Sequence, residues 1–273
     1  MQRQHFSPTA SLALLMSSLA TAPALSQNMP GSEHLTITAK TDFTSMHAGE
    51  KGYLAVDIIV DEDWHTYWPG VSDTGYGVKF DIETPESITL GDPIWPSPHR
   101  YLQRGGILDH TYEGTQTVLF PFEIGDDISD SVVVFNIETD YLVCDEVCLP
   151  GDAQTTASLS IVDSHSETVK SEYHENIRKL VDARPVPFNK DDQAVRLQWI
   201  KSAAAVMFRD AKHIEFYPDK ECTPLAEPIA DGVADGNRLE IRFAESDHKV
   251  LSGRLRVKTP EGEFHYDIHE VAP

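Results

Sequence analysis

Two cysteines separated by three residues, Cys144 and Cys148, are the side chains of this sequence best suited to chemistry. A thiol pair this close can close a disulfide, exchange it with a partner thiol, or hold a soft metal ion as thiolates. The pair lies in Tyr141-Leu142-Val143-Cys144-Asp145-Glu146-Val147-Cys148-Leu149-Pro150-Gly151, behind an apolar run that starts at Val132. In a straight strand, residues four apart lie roughly 13 Å from each other. A disulfide needs Cα atoms within about 7 Å. A bond between the sulfurs therefore requires the chain to turn, either as a hairpin with the loop Asp145-Glu146-Val147 or as one helical turn. The ring is small either way, and a small ring restricts the unfolded chain little, so it is a poor staple. At a loop tip it is better placed for exchange. Asp145 and Glu146 repel thiolates and should raise both thiol pKa values, which argues against a strongly oxidising pair. The plainer alternative is an inert structural disulfide.

Metal binding is the other use of such a pair. Two thiolates and a histidine suit Cu(I) or zinc, and His65 and His110 are the candidate third ligands, with Met46 a weaker one. None has a diagnostic spacing to the cysteines. The third cysteine, Cys222, is most simply an inert or buried thiol. His265, Asp267 and His269 alternate along one strand face and would suit a metal, but no further ligand accompanies them, so a solvated face is the better reading. Nothing resembles a nucleophile elbow or a phosphate loop.

The elements that must position the pair are mostly strands. From Leu35 to about Val162, short apolar runs such as Tyr53–Val60, Val78–Ile82, Thr117–Ile124, Val132–Val143 and Thr156–Val162 alternate with Gly, Pro and Asp clusters. Many short strands without alternating helices predict an antiparallel β-sandwich. One helix follows: Val169, Tyr173, Ile177, Leu180 and Val181 mark a single apolar face. Ser164 and Glu167 resemble its capping box, and Arg184-Pro185-Val186-Pro187 ends it. Strands resume from Arg196 to Val271 and suit a second, smaller β-sandwich. The expectation is an all-β chain divided into 27–163, a helix and linker at 164–190, and a second β-domain at 191–273.

Residues 1–26 read as a signal peptide. Arg3 precedes an apolar stretch from Ser11 to Ala20, and Ala24-Leu25-Ser26 suits cleavage before Gln27. That stretch is too short to span a bilayer and no later one reaches roughly 18 apolar residues, so the expectation is an exported protein with no membrane span of its own. The chain carries 22 Lys and Arg against 44 Asp and Glu, a formal net charge of −22. Such a surface repels nucleic acid and anionic lipid. Its plain use is solubility; its sharper use would be steering a basic partner.

The segment at 141–151 is similar to the redox motif of the N-terminal periplasmic domain of DsbD-type protein-disulfide reductases (thiol:disulfide interchange proteins). It is most like the ScsB-like branch, which is linked to copper tolerance. Three further segments fit that family in order and spacing: Trp64-His65-Thr66-Tyr67-Trp68-Pro69-Gly70 with Asp73-Thr74-Gly75, Ile94-Trp95-Pro96-Ser97-Pro98-His99-Arg100, and His110-Thr111-Tyr112-Glu113-Gly114. The resemblance covers about residues 35–162 and implies an immunoglobulin-like sandwich. It implies that Cys144 and Cys148 cycle between dithiol and disulfide in the periplasm, taking electrons from a membrane-embedded DsbD- or CcdA-like carrier and passing them to thioredoxin-like proteins. It also implies an aromatic cap over the disulfide, and Tyr101, in Arg100–Gln103, stands about where that cap would be. Tyr141, Asp145 and Glu146 complete the expected surroundings of the pair. Trp64, Trp68, Trp95 and Tyr112 match the motifs and are expected to pack rather than react. Full DsbD-type proteins continue into membrane helices and a thioredoxin-like domain, which this sequence lacks through Pro273, so the expectation is either that separate proteins supply them or that the domain has been repurposed. The alternative reading is a Cu(I)-binding, copper-tolerance protein using Cys144, Cys148, His65 and His110.

Overall fold

A computed structural model describes residues 29–163, 165–192 and 195–273. The expected leader and Ser164 lie outside them. The fold is all-β, with an immunoglobulin-like sandwich followed by a short helix and a smaller β-domain.

The first sandwich packs two sheets. One has the order Leu35–Thr41, Lys51–Val60, Thr115–Ile124, Ile88–Leu90. The other runs Val169–Lys170, Phe43–Met46, Cys148–Ile161, Val132–Cys144, His65–Tyr67, Ile107–Tyr112, His99–Gln103, and Lys79–Glu83 also pairs with Val132–Cys144. Pairing between these strands is antiparallel except where Cys148–Ile161 meets Phe43–Met46, and an isolated parallel bridge joins Tyr67 to Gly77. The core lies between the sheets and includes Leu54, Val56, Ile58, Phe120, Phe122, Phe135 and Ile137. Alternation decides which side chains reach it, because successive strand residues face opposite ways. From Val132 to Tyr141 buried and exposed residues alternate strictly. At Val143 and Cys144 the alternation fails and both are buried, because the short strand His65–Tyr67 pairs alongside them there.

The helix differs from its expected extent. It spans only His174–Asp182; Val169 belongs to a two-residue strand on the sheet edge, and no side chain caps the helix start at Tyr173. The periodicity counted residues on both sides of that boundary. Of the apolar face, Ile177 and Val181 are buried against Ala55 and Leu119, whereas Tyr173 and Leu180 are exposed.

The second domain has two sheets, Val186–Pro187, Gly262–Val271, Val250–Thr259, His213–Pro218, Val233–Asp235 and Val195–Ile200, Ala203–Phe208, Arg238–Arg242, around Val206, Ile214, Phe216, Ile241 and Leu255. It meets the first through an aromatic cluster of Trp68, Tyr112 and Tyr217, with Trp95 against it. Arg254 donates to the Trp95 carbonyl at 2.6 Å, and Ser97 Oγ lies 2.7 Å from His265 Nδ1.

Candidate functional site

The chain turns at the cysteines as a hairpin. Cys144 and Cys148 are cross-strand partners at the top of the long ribbon Val132–Cys144/Cys148–Ile161, and the loop Asp145-Glu146-Val147 joins them. The Asp145 N–H donates to the Val147 carbonyl at 3.2 Å. The sulfurs are bonded, and the Cα atoms stand 4.1 Å apart. The two cysteines are unequal: Cys144 is 1% exposed, while Cys148 faces solvent with Asp145, Glu146 and Val147.

One hydroxyl reaches both sulfurs. Tyr67 Oη lies 3.2 Å from Cys144 Sγ and 3.7 Å from Cys148 Sγ. A disulfide sulfur carries no proton, so the tyrosine is the donor. Its strand is held in register, with His65 opposite Cys144 and Thr66 opposite Val143, and Thr66 Oγ1 donates to the Leu142 carbonyl at 2.8 Å. Gly75, with φ +68°, lies against the tyrosine ring: a Cβ there would come within 2.4 Å of it. Burial pushes the Tyr67 pKa above its usual 10, so it stays a donor through the neutral range. Tyr67 stood in the Trp64–Gly70 motif, but sequence reasoning did not nominate it. The available signal was its position two residues after His65, which puts both side chains on one strand face.

His65 is buried, with its ring 5.5 Å from Tyr67 and 4.9 Å from Tyr101. Burial lowers its pKa against the opposing charges of Glu113, Asp109 and Asp145, which favours the neutral ring. Its Nε2 has no hydrogen-bond partner among the described residues. Tyr101 lies on the hairpin His99–Gln103/Ile107–Tyr112, 39% exposed, and touches the site through His65. Buried Asp109 ties this hairpin down. It accepts from the Thr74 N–H (2.8 Å), Thr74 Oγ1 (2.6 Å) and Gln103 Nε2 (2.7 Å). Arg100, next to Tyr101, reaches into the second domain and donates to the carbonyls of Phe216 (3.5 Å), Pro228 (3.1 Å) and Ile229 (2.9 Å).

Other nominated residues lie elsewhere. Tyr141 is fully buried in the sandwich core, and its hydroxyl donates to the Leu35 carbonyl at 3.2 Å rather than toward the disulfide. His110 does not join His65 and the cysteines. Its Nδ1 lies 2.6 Å from the Val71 carbonyl, and its ring packs on Trp68 and Tyr217 at the domain junction. Burial pushes it down to about 4. Strand alternation and the Val71 contact turn it away from the pair. Met46 is core. Cys222 is buried and outside any disulfide, its thiol pushed up to about 11 by burial. His265, Asp267 and His269 are engaged separately, by Ser97, Arg254 and Ser252. Trp64 stacks on His34 at 3.8 Å, and Tyr112 donates to the Pro96 carbonyl at 2.7 Å. Among the described residues no three His, Cys, Asp or Glu side chains converge as a metal site.

Comparison with known proteins finds a family whose model matches the part of the chain that carries this geometry. Residues 33–160 match the family described as thiol:disulfide interchange protein DsbD, N-terminal. Among solved structures, the N-terminal periplasmic domain of ScsB from Proteus mirabilis superposes with a TM-score of 0.56 at 16% identity, over 89% of this chain and 96% of that one. A type I cohesin from Pseudobacteroides cellulosolvens gives a TM-score of 0.27 at 4% identity, over 47% of this chain and 93% of its own, too low to carry an argument. No curated protein sequence matches the chain.

Proposed function

We propose that this chain, whose residues 33–160 match the DsbD N-terminal family, is a periplasmic thiol–disulfide exchange module working through Cys144 and Cys148. The observation that carries the reading is the inequality of the two sulfurs under one tyrosine. A thiolate of a partner dithiol attacks exposed Cys148. A mixed disulfide forms as the Cys144–Cys148 bond breaks, and Cys144 leaves as a thiolate facing the Tyr67 hydroxyl. The partner's second thiolate then attacks its own sulfur in the mixed disulfide and releases Cys148. Two electrons and two protons have moved: the partner is now a disulfide, this chain a dithiol. The same steps in reverse reduce a downstream disulfide. The reductant fits a membrane-embedded DsbD- or CcdA-like carrier and the acceptor a periplasmic thioredoxin-like protein, with residues 1–26 as the export signal. No described helix is long and apolar enough to cross a membrane.

The test is a pair of variants and one potential. Cys144→Ser leaves the exposed Cys148 thiol and should trap mixed disulfides; Cys148→Ser leaves a buried thiol and should trap few. The wild-type couple should fall at roughly −180 to −270 mV, the range of exchange proteins; a value below about −300 mV would mark a structural bridge and overturn the reading.

A Cu(I)-binding reading has one observation in its favour: the unpartnered Nε2 of His65, whose residue stands opposite Cys144. It needs the reduced pair, since a disulfide offers no thiolate, and it takes no part for His110. Titration of the reduced protein with Cu(I), with the double Cys→Ser variant as control, tests it; no binding tighter than micromolar removes it.

A further inference from the structure

Beside the disulfide lies a cleft of about 630 Å³, lined by Asp61, Glu62, Asp63 and Glu113 together with His65 and Tyr101. The three consecutive acids form the turn that delivers the strand carrying His65 and Tyr67, and all four carboxylates are on exposed residues. Asp145 and Glu146, also exposed, add two more charges inside the cysteine loop. Asp61 has only His34 near it, at 3.5 Å; among the described residues no cation pairs with Glu62, Asp63, Glu113, Asp145 or Glu146. On the neighbouring hairpin, Arg104, next to Gly105 at its turn, and His99 are the exposed basic residues.

Two further observations indicate that something docks here. Apolar side chains are exposed on the cysteine loop and the neighbouring hairpin: Val147 is 61% exposed, Leu102 56% and Tyr101 39%. An apolar centre with a charged rim is the usual anatomy of a transient protein interface. In addition, His65 lines the cleft at 6% exposure with its Nε2 unpartnered, a buried polar atom that an incoming group would satisfy.

We propose that this face is a docking surface for a dithiol protein whose own redox cysteines are ringed by Lys and Arg. The inference rests on the exchange reading and adds the chemistry of the partner. The acidic rim works in two directions. It steers a basic partner, raising association rates at low salt by roughly 10- to 1,000-fold. It also repels anionic thiolates, so small acidic thiols are disfavoured at Cys148 and specificity is gained against them. The chain's formal charge of −22 is thereby put to use at one place on its surface.

The experiment uses two synthetic Cys-x-x-Cys dithiol peptides, identical except for flanking Lys in one and Glu in the other. Each reduces the Cys144–Cys148 disulfide of the full chain, and each rate is normalised to the same peptide's rate with a neutral disulfide, bis(2-hydroxyethyl) disulfide. At low ionic strength the Lys peptide should react at least about tenfold faster, and the ratio should fall toward one as salt approaches about 1 M, where the Debye length is only about 3 Å. The variant Glu62→Lys/Glu113→Lys, its fold checked by circular dichroism, should lose most of the preference. A ratio within twofold at low salt, or a preference unchanged in that variant, overturns the docking surface while leaving exchange standing. If neither peptide reduces the disulfide, the exchange reading falls and this one with it.

Discussion

Replacing Tyr67 with Phe removes a single hydroxyl, and its consequence can be worked out from two distances. The oxygen lies 3.2 Å from Cys144 Sγ and 3.7 Å from Cys148 Sγ. In the disulfide a sulfur is a weak acceptor, so the loss in the oxidised state is small. When Cys148 is attacked, Cys144 departs as a thiolate and the same hydroxyl becomes a charge-assisted donor. Hydrogen bonds to charged groups contribute about 1.5–3 kcal/mol net. At about 1.36 kcal/mol per pKa unit, Tyr67→Phe should raise the Cys144 pKa by about 1–2 units. With about half of that charge expressed in the transition state, exchange should slow by about 4- to 12-fold. At a pH above both thiol pKa values the couple should become more negative by about 30–65 mV, because the reduced form loses the donor. The assay is reduction by dithiothreitol across pH 6 to 9, a range in which buried Tyr67 stays protonated in the wild type. Phe keeps the ring that packs on Gly75, so the unfolding midpoint should barely move. A Tyr67→Phe protein with the wild-type rate and pH profile would refute the idea that this hydroxyl serves the leaving sulfur.

Gly75→Ala attacks the same tyrosine from below: a left-handed φ of +68° and a Cβ 2.4 Å from the Tyr67 ring should cost about 2–4 kcal/mol in urea unfolding and also slow exchange. Arg100→Ala releases the hairpin carrying Tyr101 from three carbonyls of the second domain. Reduction by dithiothreitol should then speed up several-fold and amide exchange over 99–112 should rise; unchanged kinetics would mean that the second domain's hold on this hairpin does not control access to the disulfide. His110, pushed down to about 4 from 6.5, refuses in the fold a proton that the unfolded chain accepts. Its stabilising effect is therefore present above pH 6.5 and lost as pH falls toward 4, and between pH 7 and 4.5 the wild type should lose about 2–3 kcal/mol more than His110→Gln. Buried Asp42, whose carboxyl is held above its usual value, acts with the opposite sign but is common to both proteins, so parallel urea midpoints at the two pH values would refute the assignment.

The sandwich was legible because its sequence alternates at the strand period: Val132–Tyr141 reads as a strand face by face. The cysteine pair was legible from spacing, which demanded a turn without choosing between hairpin and helix. What lay hidden was set by pairing across the sheet. Which histidine accompanies the disulfide depends on Cys144 standing opposite His65 rather than on any interval along the chain. His110, equally plausible in sequence, is drawn to the domain junction by Val71 and Tyr217. Tyr67 was hidden for the same reason, since its reach to the sulfurs follows from strand register and from the room that Gly75 leaves. The helix boundary failed because a two-residue strand at Val169 happens to continue the apolar spacing of His174–Asp182.

The disulfide is held by the fold more than the fold is held by the disulfide. A cross-link spanning a sequence separation of 4 restricts the unfolded chain by about 2 kcal/mol on the chain-entropy relation, and the hairpin already brings its ends together. The ribbon beneath it keeps its register through Val132–Cys144 and Cys148–Ile161, and the core formed by Phe120, Phe122, Phe135 and Ile137 lies in the sandwich itself. Reduction should therefore lower the unfolding free energy by at most about 2 kcal/mol and leave circular dichroism unchanged, as measured with and without a phosphine reductant. Tyr67, Thr66 and the Asp109 network do not depend on the S–S bond, so they should remain assembled around the dithiol. A loss of 4 kcal/mol or more on reduction would mean the bond is structural, and the chain would then lack the reversibility that exchange requires.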